Sequence, residues 1–162
     1  MKWKLMTDEA ISRDQREVLS DFVLNEDKLT QGPVVKEFEK AWSEWLGCKY
    51  SVFVNSGSSA NLAITRALSG TEPLWVSQAC TWATAVTPIM QFARLQLCDV
   101  DLKNFGPDLE NLEHIFQTHK PKFLSLTHLL GFPAITDELI SLCEKYGVTL
   151  VEDCCESHGA SF

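Results

Sequence analysis

The sequence predicts an α/β fold with a three-layer, mainly parallel sheet and helices on both of its faces. Strand-like runs alternate with helix-like runs from residue 33 onward, and this alternation is typical of parallel strands joined by helical crossovers. Several helix-like runs are bounded by Pro or Gly residues that favour helix starts and stops. The chain has 162 residues, a length that suits one domain with a sizeable core.

The predicted helices have apolar residues spaced three or four positions apart. Residues 8–25 form a polar helical pattern, and we assign residues 1–30 to an N-terminal helical arm. Pro33 begins a strongly amphipathic helix, and Gly47 ends it. Further helices are predicted over residues 60–68, 84–92, 108–117 and 137–146.

The predicted strands are short runs rich in β-branched, aromatic and aliphatic residues. They span residues 50–54, 74–76, 95–100, 122–126 and 148–151. In a parallel sheet the carboxyl ends of the strands lie at one edge, where ligands bind in this fold class. The residues that follow these strands are therefore the first candidates for a functional site.

Composition and charge exclude several classes of protein. Hydrophobic residues make up 45% of the chain, which argues against disorder. The 22 acidic residues outnumber the 14 basic ones and give a net charge of −8, so neither a nucleic-acid partner nor an anionic membrane surface is expected. No apolar run is long enough for a membrane span, and the first residues lack the apolar core of a signal peptide. We expect a cytoplasmic protein.

The cysteines are predicted to be free and mostly buried thiols in a reducing compartment. They lack the paired spacings of zinc or redox motifs, so no metal site is expected. The six positions are Cys48, Cys80, Cys98, Cys143, Cys154 and Cys155.

The turn at residues 55–59 has the sequence Asn-Ser-Gly-Ser-Ser and lies between a predicted strand and a predicted helix. Gly57 allows the backbone to approach a ligand closely. The N–H groups at the start of the helix, with the hydroxyls of Ser58 and Ser59, suit an anion such as a phosphate. The alternative is that these serines are ordinary N-caps of a strand–helix turn.

Two further candidates follow predicted strands. Trp82 can stack on a planar ligand, although large aromatic residues more often serve packing. Asp153 follows an apolar strand, and a buried carboxylate there calls for a positively charged partner: a metal, a protonated ring nitrogen or an Arg. The alternative is an exposed acid in a loop. His128 and His158 lie near strand ends as candidate proton-transfer or hydrogen-bonding groups.

These candidates occur in an order that suits pyridoxal 5'-phosphate (PLP). The turn would hold the phosphate, Trp82 would cover one face of the ring, and Asp153 would pair with the pyridinium nitrogen. That ion pair keeps the ring protonated, as its function as an electron sink requires.

The same motifs resemble those of the DegT/StrS family of PLP-dependent sugar aminotransferases, which have the aspartate-aminotransferase fold (fold type I). The resemblance runs through residues 32–34 with 38–39, 54–62, 81–84, 99–101, 128–133 and 151–160. It implies PLP as cofactor, a nucleotide-linked keto-sugar as acceptor and an amino acid such as glutamate as donor. It also implies a homodimer with active sites at the subunit interface, and a place in amino-sugar biosynthesis for a surface polysaccharide or secondary metabolite.

The resemblance assigns site residues by position. Gly57, Ser58 and Ser59 look like the phosphate loop, Trp82 like the ring-stacking residue and Asp153 like the pyridinium partner. Glu156 occupies a position where many members have Gln beside the phenolic oxygen of the ring, so it fills that role only if protonated or turned away. His158 matches a common family His and is predicted as an accessory catalytic residue.

The family's Schiff-base Lys is expected beyond residue 162. The resemblance therefore implies that residues 31–162 are the N-terminal portion of a PLP-transferase large domain, incomplete as this chain and without a catalytic lysine. A second chain could complete it. Two alternatives to the aminotransferase remain: a PLP- or pyridoxamine-phosphate-dependent nucleotide-sugar 3-dehydratase, and an inactive fragment or assembly partner of a full-length homologue.

Overall fold

Four short strands form one parallel sheet. The computed structural model of the protein describes residues 11–70 and 73–160, and within them the strands lie in the order β2–β1–β3–β4. Every neighbouring pair is parallel, so all carboxyl ends lie at one edge. The strands are β1 (Leu74–Gln78), β2 (Arg94–Cys98), β3 (Phe123–Thr127) and β4 (Thr149–Asp153).

Six α-helices accompany the strands in the described residues, and a short 3-10 turn spans Leu129–Gly131. The α/β class predicted from the sequence is confirmed. The helices are α1 (Arg13–Asn25), α2 (Pro33–Leu46), α3 (Gly57–Leu68), α4 (Ala83–Phe92), α5 (Leu109–His119) and α6 (Asp137–Tyr146).

Successive side chains along each strand point to opposite faces of the sheet, and both faces are covered. Val76 of β1 lies in register with Leu124 of β3, and both belong to a buried cluster that includes Leu112 of α5 and Leu139 of α6. The alternate residues point to the other face. There Trp75 stacks on Phe123 with ring centroids 4.6 Å apart.

The second face is covered by α3 and α4, which pack together. Nε1 of Trp75 donates to the hydroxyl of Ser69, the C-cap residue of α3, at 3.2 Å. Helices therefore cover both faces of the sheet, and α3 lies on the same face as Trp75.

The chain divides into two compact units between Phe53 and Val54, whereas the sequence pattern places an arm at residues 1–30. The first unit contains α1 and α2. Gly47 ends α2 in the left-handed conformation, with a φ of 73°, as predicted. None of the helices in residues 11–70 and 73–160 is both long and apolar enough to cross a membrane.

Three sequence predictions are wrong in detail. Residues 50–54 form no strand, because their polar groups bind α2 instead: the Phe53 N–H donates to Glu39 Oε1 at 2.8 Å. The third helix begins at Gly57 rather than residue 60, since Ser56 is its N-cap. The last strand extends to Asp153, so Asp153 is part of the sheet and not of the loop after it.

The cysteines are free thiols, as predicted, but only Cys98 and Cys143 are buried. Cys80 and Cys155 are exposed because they lie in the segments that leave β1 and β4 at the carboxyl edge. The expectation of mostly buried thiols is therefore wrong.

A buried amide joins the carboxyl ends of β1 and β3. Gln78 is fully buried; its Nε2 donates to the carbonyls of Thr127 at 2.7 Å and Phe105 at 2.9 Å. Its Oε1 accepts from the Thr127 N–H at 3.0 Å. One side chain thus satisfies three backbone groups at the edge where the strands end.

Replacing this amide tests its contribution to stability. Gln78→Leu keeps a similar volume but leaves the partner groups of Thr127 and Phe105 without their side-chain partner, so we expect a loss of about 3 kcal/mol in the free energy of unfolding. Urea denaturation followed by circular dichroism measures it. Gln96→Leu, on the neighbouring strand β2, is the matched control and should change stability by less than about 0.5 kcal/mol. Equal losses in both variants would contradict the role of Gln78.

Candidate functional site

The carboxyl edge of the sheet brings together residues that are far apart in sequence. The hydroxyls of Thr81, after β1, and Thr127, at the end of β3, lie 2.7 Å apart. Asn61 of α3 donates from Nδ2 to Oδ2 of Asp153, at the end of β4, at 3.0 Å. The start of α3 and the ends of three strands therefore form one region.

Asp153 provides a buried negative charge in this region. The residue is only 9% exposed, and its Oδ1 accepts from the Cys155 N–H at 3.2 Å. Burial acts to raise the pKa of Asp153, but hydrogen bonds from Cys155 and Asn61 outweigh it, and the pKa lies below its usual value. A carboxylate held ionised in a buried place suits a cationic ligand group.

The first turn of α3 provides donors for an anion. Ser56 is the N-cap, and its hydroxyl accepts from the Ser59 N–H at 3.2 Å. The first N–H groups of a helix have no carbonyl partner inside it, so those of Gly57 and Ser58 remain available at the positive end of the helix dipole. The N-cap is thus Ser56 rather than Ser58 or Ser59, and the N–H groups of Gly57 and Ser58 remain as candidate donors for an anion.

Trp82 is the N-cap residue of α4 and is 37% exposed. Its ring is therefore not a core aromatic. Ser58 of α3 and Ala83 and Thr84 of α4 line one cavity of about 300 Å³. The first turns of two helices thus face the same space, with Trp82 directly before the second of them.

Glu156 and His158 follow β4 and are both exposed. Oε2 of Glu156 accepts from the Leu130 N–H at 2.6 Å. Leu130 has a φ of 55°, in the left-handed region that non-glycine residues rarely occupy. The Glu156 carboxylate is therefore engaged with the 129–131 turn through one of its oxygens.

Sequence reasoning missed two residues that hold Asp153, namely Asn61 and Cys155. Asn61 was detectable in principle, since it lies four positions after Gly57 and therefore on the same face of α3. The contact of Cys155 with Asp153 depends on how the chain turns after β4, and no spacing rule predicts that turn.

His128 forms a second cluster beyond the end of β3. It is buried, its Nε2 lies 2.9 Å from Oε2 of Glu152, and its Nδ1 accepts from the Ala134 N–H at 3.1 Å. Cys154 and Glu152 raise the pKa of His128 to about 9. The Ala134 N–H opposes protonation, because a backbone N–H can only donate and requires a lone pair on Nδ1.

The same cluster has the composition of a metal-ligand set. Nε2 of His128, a carboxylate oxygen of Glu152 and Sγ of Cys154 lie within 4.8 Å of one another. A metal on Nε2 would move the ring proton to Nδ1, where it would meet the Ala134 N–H. We therefore interpret the cluster as hydrogen-bonded side chains.

Comparison with known proteins identifies the family. Residues 10–162 match the model of the DegT/DnrJ/EryC1/StrS aminotransferase family. The chain belongs to this family. Among its DegT/DnrJ/EryC1/StrS relatives, a GDP-4-keto-6-deoxy-D-mannose 3-dehydratase of Yersinia pseudotuberculosis is 34% identical over 146 residues, 85% of this chain and 37% of the relative.

A second relative has a different activity. The UDP-4-amino-4,6-dideoxy-N-acetyl-beta-L-altrosamine transaminase of Campylobacter jejuni is 32% identical, over 86% of this chain and 38% of the relative. The crystal structure of the Escherichia coli GDP-4-keto-6-deoxy-D-mannose 3-dehydratase with bound hydrated PLP superposes with a TM-score of 0.80 at 29% identity, over 99% of this chain and 43% of that chain. The chain thus spans less than two fifths of the length of these curated relatives.

Removing the Asn61 amide tests what holds the Asp153 charge. In Asn61→Ala we expect the pKa of Asp153 to rise, because one of its donors is lost, and stability above pH 5 to fall by about 2 kcal/mol. Carbon-detected NMR titration of the Asp153 carboxyl group measures the pKa. Asn25→Ala removes the same kind of bond from exposed Asp21 and should leave Asp153 unchanged. An unaltered Asp153 titration in Asn61→Ala would contradict the assignment.

Neutralising Glu152 tests the His128 pair. In Glu152→Gln the pKa of His128 should fall, since one of the two side chains that raise it loses its charge. The His128 ring resonances, followed from pH 5 to 10, report the pKa. The control is Glu110→Gln, at an exposed residue. Equal midpoints of the His128 titration in the two variants would contradict the pairing of His128 with Glu152.

Proposed function

We propose that this chain supplies the cofactor cradle of a PLP-dependent enzyme that transfers an amino group from an amino acid, such as glutamate, to a nucleotide-linked keto-sugar. The observation that carries the proposal is the contact between α3 and Asp153. This contact places a buried, ionised carboxylate beside a helix start that can bind a phosphate. Membership of the aminotransferase family supports the same assignment.

The residues present fit the two charged ends of PLP. Asp153 has two hydrogen-bond donors, Asn61 and the Cys155 N–H, and a carboxylate has about four acceptor sites. It can therefore also accept from a protonated ring nitrogen. The N–H groups of Gly57 and Ser58, with the Ser58 hydroxyl, suit the phosphate.

The mechanism assigns a task to each of these side chains. When bound, PLP supplies an electron sink for a substrate carbanion. Asp153 would hold the proton on the ring nitrogen, and Asn61 orients the carboxylate for that task. Gly57 and Ser58, with Ser59 next in the same turn, would hold the phosphate. Trp82 would stack on the ring and exclude water from it.

Two residues have supporting tasks in the proposal. Glu156 matches the position of the family's residue near the phenolic oxygen, and its bond to the Leu130 N–H occupies one carboxylate oxygen, which would leave the other free to face the cofactor. His158, exposed after β4, is an accessory proton-transfer residue.

The wider assignment also rests on the relatives. Their names describe enzymes of GDP- and UDP-linked sugars, and another is a lipopolysaccharide biosynthesis protein of Salmonella typhimurium at 31% identity. We therefore assign the parent enzyme to the synthesis of modified sugars for surface polysaccharides in the cytoplasm. In this proposal, residues 31–162 form the N-terminal portion of the enzyme's large domain. Two copies of the enzyme form the complete active site as a homodimer.

A 3-dehydratase is the second candidate function. Two GDP-4-keto-6-deoxy-D-mannose 3-dehydratases are 33% and 34% identical to this chain, slightly above the 32% of the transaminase. The mass of the product that the parent enzyme makes from a nucleotide-linked 4-keto-6-deoxysugar with glutamate separates the two reactions. An aminotransferase exchanges the keto oxygen for an amino group, whereas a dehydratase removes the 3-hydroxyl. Cofactor binding by the parent enzyme with neither product would instead favour an assembly partner.

Cofactor binding is tested with pyridoxamine 5'-phosphate, an amine that cannot condense with surface lysines. In equilibrium dialysis we expect saturable binding to the protein, competition by inorganic phosphate, and weaker binding of pyridoxamine without its phosphate. Asp153→Asn should weaken binding at least about tenfold, because a charge-assisted hydrogen bond is lost.

The matched control is Asp99→Asn, the same substitution at an exposed acid after β2. It should leave the affinity within about twofold of the wild type. Absence of saturable binding, or equal affinity in the Asp153 and Asp99 variants, would contradict the proposed function.

A further inference from the structure

We propose that Cys155 is a positioning residue that couples the two ends of the cofactor cradle, the first turn of α3 and the Asp153 carboxylate. The inference rests on the proposed function for the identity of the ligand. The contacts themselves lie within the protein and can be tested without any ligand.

The first contact is with Gly57. A Cβ atom built on Gly57 would lie 3.1 Å from Sγ of Cys155, closer than carbon and sulfur atoms normally pack. Gly57 does not have a positive φ, so a side chain at this position is opposed by the close approach of Cys155 Sγ, which would have to shift by a few tenths of an ångström, and not by backbone conformation. The thiol therefore lies against the turn that offers N–H groups to an anion.

The second contact is with Asp153. The Cys155 N–H donates to Oδ1 at 3.2 Å, so the thiol of the same residue lies close to this carboxylate. The Asp153 carboxylate and partial burial raise the pKa of the Cys155 thiol to about 11, so the thiol keeps its proton at neutral pH. One residue thus contacts both the Gly57 turn and the carboxylate.

The position of Cys155 explains how the cradle keeps its geometry. Asn61 and Gly57 lie four positions apart on α3 and therefore share a face. Asn61 contacts Asp153, and Cys155 contacts both Gly57 and Asp153. The 153–155 segment therefore lies along the first turns of α3, and a shift of Cys155 would move the carboxylate relative to the N–H groups.

Cys154 provides a matched comparison. It is adjacent in sequence but belongs to the cluster with His128 and Glu152, which touches neither Gly57 nor Asn61 in the described contacts. A thiol replacement at residue 154 therefore controls for the loss of a cysteine from this segment.

The first experiment measures thiol alkylation in the protein without ligand. The thiolate is the reactive form, so iodoacetamide at pH 8 reports how strongly Asp153 holds the Cys155 proton. In a Cys154→Ala background, Asp153→Asn should accelerate alkylation of Cys155 at least about tenfold, since a fall of one pKa unit raises the thiolate fraction tenfold. Cys48, in the other compact unit, is the internal control and should keep its rate. An unchanged Cys155 rate would overturn the inference.

The second experiment is a double-mutant cycle with pyridoxamine 5'-phosphate as the probe. Gly57→Ala should weaken binding about tenfold, because its methyl group displaces the Cys155 thiol. Cys155→Ala alone should also weaken binding, and adding it to Gly57→Ala should recover part of the lost affinity, up to that of the Cys155→Ala single variant, whereas adding Cys154→Ala should not. Additive losses in the Gly57 and Cys155 double variant would overturn the inference.

The two experiments separate this inference from the proposed function. If the wild-type protein does not bind the probe, the proposed function fails while the alkylation result still decides the Cys155–Asp153 contact. If the wild type binds the probe and the cycle is additive, the cofactor site stands and Cys155 has no positioning role.

Discussion

The geometry of the candidate site depends on one buried negative charge, the carboxylate of Asp153. A buried carboxylate is costly unless donors or a cation compensate it, and here Asn61 and Cys155 supply the donors from a helix and a turn. Satisfying that carboxylate fixes the start of α3 against the end of β4. The carboxylate keeps further acceptor sites, so the fold's stability and the proposed cofactor binding would use the same side chain.

The parallel sheet determines where this charge lies. Parallel strands end at the same edge, and Gln78 joins the ends of β1 and β3 by satisfying backbone groups of both Thr127 and Phe105. The residues after each strand therefore converge whatever their separation in sequence. Asn61 and Asp153 are 92 positions apart, yet the crossover topology makes them neighbours.

The sequence predicts the elements better than the contacts between them. The helix from Pro33 to Gly47 and the helix over 137–146 follow from capping signals and periodicity, and both lie where expected. Residues 50–54 have strand composition but bind α2, because composition carries no information on which partner is available. Asp153 was identifiable from its place after an apolar run, and the helical spacing from Gly57 could have indicated Asn61. The Cys155 contact was not predictable, because it depends on the turn of the chain after β4.

The central claim is that Asp153 keeps the ring nitrogen of a bound pyridoxal phosphate protonated. Nitrogen-15 NMR of cofactor labelled at the ring nitrogen, bound to the wild-type protein, tests it most directly. The account predicts a pyridinium resonance that persists from pH 6 to 9, where the free cofactor loses its ring proton. A neutral-pyridine resonance in the bound state would contradict it.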